Sequence, residues 1–126
     1  EKSGADAESI EKRLLRGRIL YEAPEVILAF VSLDGAHTYG DQRDDSERDM
    51  FMIAGGAGVA NFLLALHGEG VGSAWISSTI FCSQIVRETL GLKEEWQPLG
   101  AIAVGYSAHS PHPRSALSLE DYFSTR

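Results

Sequence analysis

The chain has 126 residues, 44% of them hydrophobic and 23% charged, with a formal net charge of -7 and an isoelectric point near 5.0, which suits one compact core and no more than one domain. Such an acidic surface repels nucleic acid and anionic membranes, so neither is expected as a partner and any anion site has to be local. The single cysteine, Cys82, excludes an intrachain disulfide and a cysteine-rich zinc site and fits a reducing compartment, with the cytoplasm as the default.

No apolar run stands out as long enough to span a bilayer, and no charged-then-apolar leader is visible, so neither insertion nor export is expected. The chain opens at Glu1 in a polar stretch rather than at Met, which reads as a piece of something longer. From about Ala7 to Tyr21, Ile10, Leu14, Leu15 and Ile19 recur at helical spacing and predict an amphipathic helix that ends before Pro24. Val26 to Leu33 is a continuous aliphatic and β-branched run, the pattern of a strand buried on both faces at the centre of a sheet. Asp34 to Asp45 is polar and aperiodic, a loop. Ser46 and Asp49 approximate a capping box, and Met50, Ile53, Ala57, Ala60 and Leu64 then predict a long helix to Gly68, with His67 as a polar cap near its end.

Gly55, Gly56 and Gly58 interrupt that helix, each costing about 1 kcal/mol against alanine. With Ala54, Ala57 and Ala60 they make a small-residue surface that another backbone can approach closely. A second helix in a dimer is one candidate, and ordinary packing is the simpler reading. A short strand over Val71 to Ile76 follows, then the Ser77-Ser78-Thr79 turn, a helix from about Cys82 to Leu90 stopped by Gly91, and a strand over Pro98 to Tyr106. Cys82 reads as a small buried residue at a helix start, since spacing assigns it no base partner. Residues 107–126 carry Pro111 and Pro113 and predict an extended C-terminal arm. The order of helices and strands points to a sheet with helices packed on it.

The segment Met50 to Ala60 can also be read as strand, glycine turn and helix, as in a dinucleotide-binding fingerprint. Glu47-Arg48-Asp49 carries the helical period into the supposed strand, however, and the next strand ends in Ser77-Ser78 with no acidic residue for a ribose hydroxyl. The four histidines, His37, His67, His109 and His112, have no metal-ligand spacing.

More specific are Gly70-Val71-Gly72-Ser73-Ala74-Trp75-Ile76-Ser77-Ser78, then Leu90-Gly91-Leu92, then Leu99-Gly100-Ala101-Ile102-Ala103-Val104-Gly105-Tyr106. A long alanine-rich helix, a glycine-glycine-serine-tryptophan strand, a short helix ending in Leu-Gly and a strand ending in Gly-Tyr resemble the C-terminal half of the nitroreductase family. The match runs from about Pro24 to Arg114. Within that family, Asp34 to Tyr39, Glu47 to Phe51 and Ser77 to Cys82 resemble the flavin domain attached to the coenzyme F-420 gamma-glutamyl ligase.

The resemblance implies an α+β, nitroreductase-like sheet with flanking helices and a long central helix, in which residues 1–126 form the C-terminal portion of the domain. It implies FMN as cofactor at a homodimer interface, with Trp75, Ile76, Ser77 and Ser78 along the flavin ring and Arg114 reaching the FMN phosphate from the arm. Early helix amides lacking partners suit ring atoms that become electron-rich on reduction, and a guanidinium suits a phosphate. On residue pattern alone, Ser77 and Ser78 also read as caps of the next helix, and Arg114 as a surface arginine. His37, Tyr39 and Arg43 are candidates for a second, anionic ligand, coenzyme F-420 or its precursor. The implied function is reduction of a dehydro-F-420 precursor beside a gamma-glutamyl ligase domain. The alternatives are a non-catalytic F-420-binding module serving the ligase and a generic NAD(P)H-dependent nitroreductase. The family's arginine-serine-arginine phosphate motif does not occur before Glu22.

Overall fold

The structure is a computed structural model, which describes residues 7–109 and, beyond them, Pro113, Ser115, Ser118, Glu120, Tyr122 and Phe123. Its elements in chain order are helices α1 (Ala7–Gly17) and α2 (Ile19–Glu22), strand β1 (Glu25–Ser32), helix α3 (Arg43–Gly68), strand β2 (Gly72–Ile76), a 3-10 helix (Ser77–Cys82), helix α4 (Ser83–Leu90) and strand β3 (Trp96–Gly105). They form an α+β fold with a small antiparallel sheet, a long helix against it and shorter helices at its flanks. The single helix expected over Ala7 to Tyr21 is broken at Arg18, next to Gly17, where a glycine weakens the helical backbone.

The sheet order is β1-β3-β2 with both pairings antiparallel. Among the described residues β1 is therefore an edge strand, not the centre its apolar run suggests. Val26, Ile27 and Leu28 keep 39–41% of their surface exposed. A continuous apolar run reports that a strand is to be covered, but it does not report strand order. The central strand is β3, whose Leu99, Ala101, Ile102 and Ala103 are buried. It carries Pro98 and Gly100, residues that disfavour a ladder interior, and it accommodates them by a bulge: Ala29 pairs with Gly100 and Phe30 with Pro98, leaving Leu99 with no partner on β1.

The long helix begins three residues before Ser46. The N-cap position is Gln42, whose side chain makes no cap; one residue earlier, Asp41 Oδ1 accepts the Arg43 amide at 2.9 Å, and the Ser46 box lies inside the helix. At the other end Gly70, at φ 75°, donates to the His67 carbonyl while Val71 donates to that of Leu66, closing the helix by its backbone; the His67 ring takes no part. Gly91, at φ 64°, ends α4 the same way.

Helix α3 lies against the sheet through its glycines. A Cβ on Gly55 would sit 2.7 Å from Leu99 Cδ1 and 3.4 Å from Val31 Cβ, and one on Gly56 would sit 3.9 Å from Trp75 Cη2. Gly55 thus serves close approach within the chain, Gly56 leaves room for an ordinary contact, and Gly58 meets nothing within 4 Å. The core that results is Val59, Leu99 and Ile102, with Ala29, Val31, Met52, Leu63 and Val104 around it.

Only Val59 of α3 is buried, and Met50, Ile53 and Leu64 stand 59–73% exposed. An 18-residue window of this helix has a mean hydropathy of 1.6, so by length and composition it is apolar enough to cross a bilayer. This corrects the expectation that the chain has no such run; the charged start Arg43 to Asp49 and the interspersed glycines disguise it. Its seat on β1, β2 and β3 makes it an element of this domain.

Candidate functional site

Two regions hold the side chains singled out in the sequence. The first is the turn that leaves β2. Trp75 is the penultimate residue of the strand, paired with Ile102, and Ile76 pairs with Ala101 before the chain enters the 3-10 helix. The Trp75 indole N–H donates to the Leu99 carbonyl oxygen at 2.9 Å. Ile76 is half-buried, and Ser77 and Ser78 are exposed. Neither serine caps the turn through its side chain. In a 3-10 helix that opens at Ser77, the Ser77 and Ser78 amides precede the first i→i+3 bond and have no intrahelical acceptor, so they are the donors this turn can offer to an outside group.

Among the described residues, two buried side-chain atoms have no protein partner, Thr79 Oγ1 in this turn and Arg87 Nη1 on α4. Buried hydroxyl and guanidinium groups are normally satisfied, so each marks a place where a ligand or water belongs. The sequence did not single out either one. Cys82, expected to be buried, is exposed, its Sγ 3.7 Å from the Ser78 carbonyl; it stands at the close of the 3-10 helix, where the chain turns outward before α4.

The second region is the loop before α3, and it brings His37, Tyr39 and Arg43 together. The Arg43 guanidinium carbon stands 4.5 Å from the Tyr39 ring centroid, and the His37 and Tyr39 rings are 6.2 Å apart. Carboxylates hold the loop backbone: Glu47 accepts the His37 amide at 3.2 Å, and Asp44 accepts those of Tyr39 at 2.7 Å and Gly40 at 3.1 Å.

Arg43 is not a free cation. Its Nε and Nη2 donate to the two oxygens of Asp41, each at 2.9 Å, and this fork holds the Asp41 carboxyl below the usual carboxylate range, with the Arg43 backbone amide adding to the effect. A lowered folded-state value means that the pair stabilises the loop above the unfolded aspartate range and that the contribution is lost as pH falls through the folded value. Arg43→Ala removes the guanidinium but keeps the backbone amide, so it is expected to raise the Asp41 titration part of the way toward the ordinary aspartate range, read by carboxyl carbon chemical shifts against pH; an unmoved titration would contradict the fork.

Arg114 lies outside the described residues, as does most of the expected arm over 107–126. The sheet face toward α3 also holds an open apolar cleft of about 550 Å³ between β1 and the helix, lined by Ile27, Phe30, Gly58, Phe62 and Trp96 among others. It contains none of the expected site residues.

A small antiparallel sheet under one long helix is an α+β architecture and not the parallel sheet of a doubly wound dinucleotide fold. The comparisons agree. The Nitroreductase family model matches residues 1–106, and the chain belongs to that family.

Similar solved structures include a nitroreductase-like family protein from Bacillus cereus, at 22% identity and a TM-score of 0.67, covering 92% of this chain and 60% of that one. A protein from Desulfovibrio desulfuricans, described as a nitroreductase and solved in complex with FMN, is 25% identical with a TM-score of 0.66 over 87% of this chain and 59% of its own. A nitroreductase family protein from Streptococcus pneumoniae is 26% identical, with a TM-score of 0.54 over 70% and 42% of the two chains. The chain thus spans about 60% of the length of the first two relatives.

Proposed function

We propose that this chain is the cofactor-bearing C-terminal portion of an FMN-dependent oxidoreductase that works in the cytoplasm on coenzyme F-420 biosynthesis, reducing a dehydro-F-420 precursor beside a gamma-glutamyl ligase domain. The observation that carries the flavin is the turn after Trp75, where the Ser77 and Ser78 amides precede the first i→i+3 bond of the 3-10 helix and Thr79 Oγ1 is buried without a partner. Family membership and the FMN complex of the Desulfovibrio relative support it.

The donor set fits the cofactor. Ser77, Ser78 and the Thr79 hydroxyl would hold its polar ring edge, Ile76 would give an apolar wall that keeps water out, and Arg114 would bind the phosphate. FMN, when bound, supplies the hydride chemistry. The chain's part is to orient the ring and to place hydrogen-bond donors where negative charge grows. The exposed apolar side of α3 suits a second copy, and so a homodimer.

Absorbance of the full-length protein tests the flavin: bound FMN that bleaches on reduction is expected, and a colourless protein that takes up no FMN would refute it. Arg114→Ala in that protein is expected to weaken FMN binding about tenfold or more, the scale of a lost charge-assisted contact, as measured by fluorescence titration. Gly56, seated under Trp75, is not the residue to probe for a dimer. Ile53, 73% exposed on the apolar side of α3, is, and Ile53→Asp is expected to shift the assembly to monomers by light scattering.

For the acceptor, His37 and Tyr39 would offer ring faces to a deazaflavin precursor, and Arg43 would offer charge on leaving Asp41. The engagement of Arg43 by Asp41 favours a second reading, a generic nitroreductase with uncharged aromatic acceptors. Steady-state comparison of a nitroaromatic with the dehydro-coenzyme separates the two, the higher kcat/KM naming the acceptor class.

A further inference from the structure

We infer that Trp75 is a positioning residue for the turn that follows it, anchoring Ile76 to Thr79 through its indole rather than forming a wall of the ligand site; the inference rests on the FMN reading above. The bulge in β3 is the starting point. Where the β1 register slips, Leu99 is the extra residue and has no partner on β1. A bulge leaves the ladder locally disrupted, and a buried carbonyl there requires another donor. The Trp75 indole N–H meets the Leu99 oxygen at 2.9 Å, and Leu99 is only 5% exposed.

The space for the indole is made by glycine. Gly100 has φ 148°, and a Cβ on it would lie 2.6 Å from Trp75 Cδ1, closer still to the indole nitrogen, and 3.0 Å from the Ile76 carbonyl oxygen. Both the conformation and the room exclude other residues. The far edge of the same ring faces Gly56 of α3. The indole therefore spans from the bulge of the central strand to the long helix, and its own backbone stands one residue ahead of Ile76 and two ahead of Ser77.

A tryptophan serving as core filler would be enclosed, whereas Trp75 is 40% exposed and its single polar atom is committed to a backbone oxygen. What the contact fixes is the exit angle of β2, and with it where the Ser77 and Ser78 amides and the Thr79 hydroxyl point. Donors misplaced by a fraction of an ångström lose most of their value to a rigid ring.

The test compares Trp75→Phe, Gly100→Ala and Gly56→Ala in the full-length protein, each first checked for fold by circular dichroism. Two quantities are read: the FMN dissociation constant, and the midpoint potential of bound FMN. Trp75→Phe is expected to weaken FMN binding about tenfold, the scale of one lost buried hydrogen bond, and to displace the potential. Gly100→Ala is expected to do the same or more. Gly56→Ala, whose Cβ would land at ordinary contact distance, is expected to leave both unchanged.

A folded Trp75→Phe protein with lower thermal stability but unaltered affinity and potential would overturn the inference, since that is the outcome of a merely structural role. In the unaltered protein, hydrogen exchange of the Trp75 indole N–H, assigned by its loss in Trp75→Phe or, should that variant not fold, by the persistence of the other indole signal in Trp96→Phe, is expected to slow when FMN is added. Unchanged exchange would overturn the inference independently of the variants. If the unaltered protein takes no FMN, the flavin reading itself falls and takes this inference with it; if it binds FMN and the variants bind it equally, only the positioning role falls.

Discussion

Ile102→Ala is expected to lower stability by about 2–5 kcal/mol, the range for truncating a fully enclosed aliphatic side chain. Ile102 is 1% exposed at the middle of β3, between β1 and β2, where it pairs with Ile27 on one side and Trp75 on the other. It touches Val59 and Leu99 in the core that joins the sheet to α3, so the cavity opens at the junction of three elements and cannot close by moving one of them. Set against a typical total of about 5–15 kcal/mol, the loss is large enough to unfold a marginal domain. Urea denaturation measures it: a shift in midpoint corresponding to under 1 kcal/mol would mean that β3 is not the core strand.

Thr79→Val is expected to act with opposite signs on the empty and the loaded protein. The Thr79 hydroxyl oxygen is buried without a protein partner, and such a group costs about 1–3 kcal/mol in desolvation while it stays unsatisfied. Valine keeps the shape and removes the oxygen, so the flavin-free protein gains stability by up to that amount. If the hydroxyl serves the flavin, the same change weakens FMN binding by about tenfold. Thermal melts with and without FMN read both effects, and the spacing between the two melting curves should shrink. A variant less stable when empty, or one with undiminished FMN stabilisation, would remove Thr79 from the site.

Several parts of the fold were legible from residue pattern. The strand over Val26 to Leu33, the long helix to Gly68 and the Gly91 stop all appear within a few residues of their expected places, because each is written in local periodicity or in a left-handed glycine. What escaped is non-local. Strand order placed β3 in the centre although Pro98 and Gly100 argue against a ladder interior, and only the paired appearance of those two residues hinted at a bulge. The start of α3 was misplaced because the carboxylate that meets the first helical amide is Asp41, ahead of Ser46, and nothing in sequence ranks the two. Cys82 was expected inside and lies outside, since small apolar character does not say which way a 3-10 helix faces.

The candidate site was legible in outline through the Trp75 to Ser78 stretch, but its chemistry was not. That the indole would be committed to Leu99, that Thr79 and Arg87 would hold unsatisfied atoms, and that Arg43 would be matched by Asp41 all depend on residues brought together by folding.

The two rims of the sheet bear on how this chain behaves when handled by itself. Among the described residues, strands β1 and β2 each pair with β3 on one side only, and β1 joins that unpaired side to an aliphatic surface. Such a rim templates fibrillar self-association unless a gatekeeper charge interrupts it. A lysine in place of Ile27, midway along β1, should keep the isolated chain dispersed at concentrations where the native sequence precipitates.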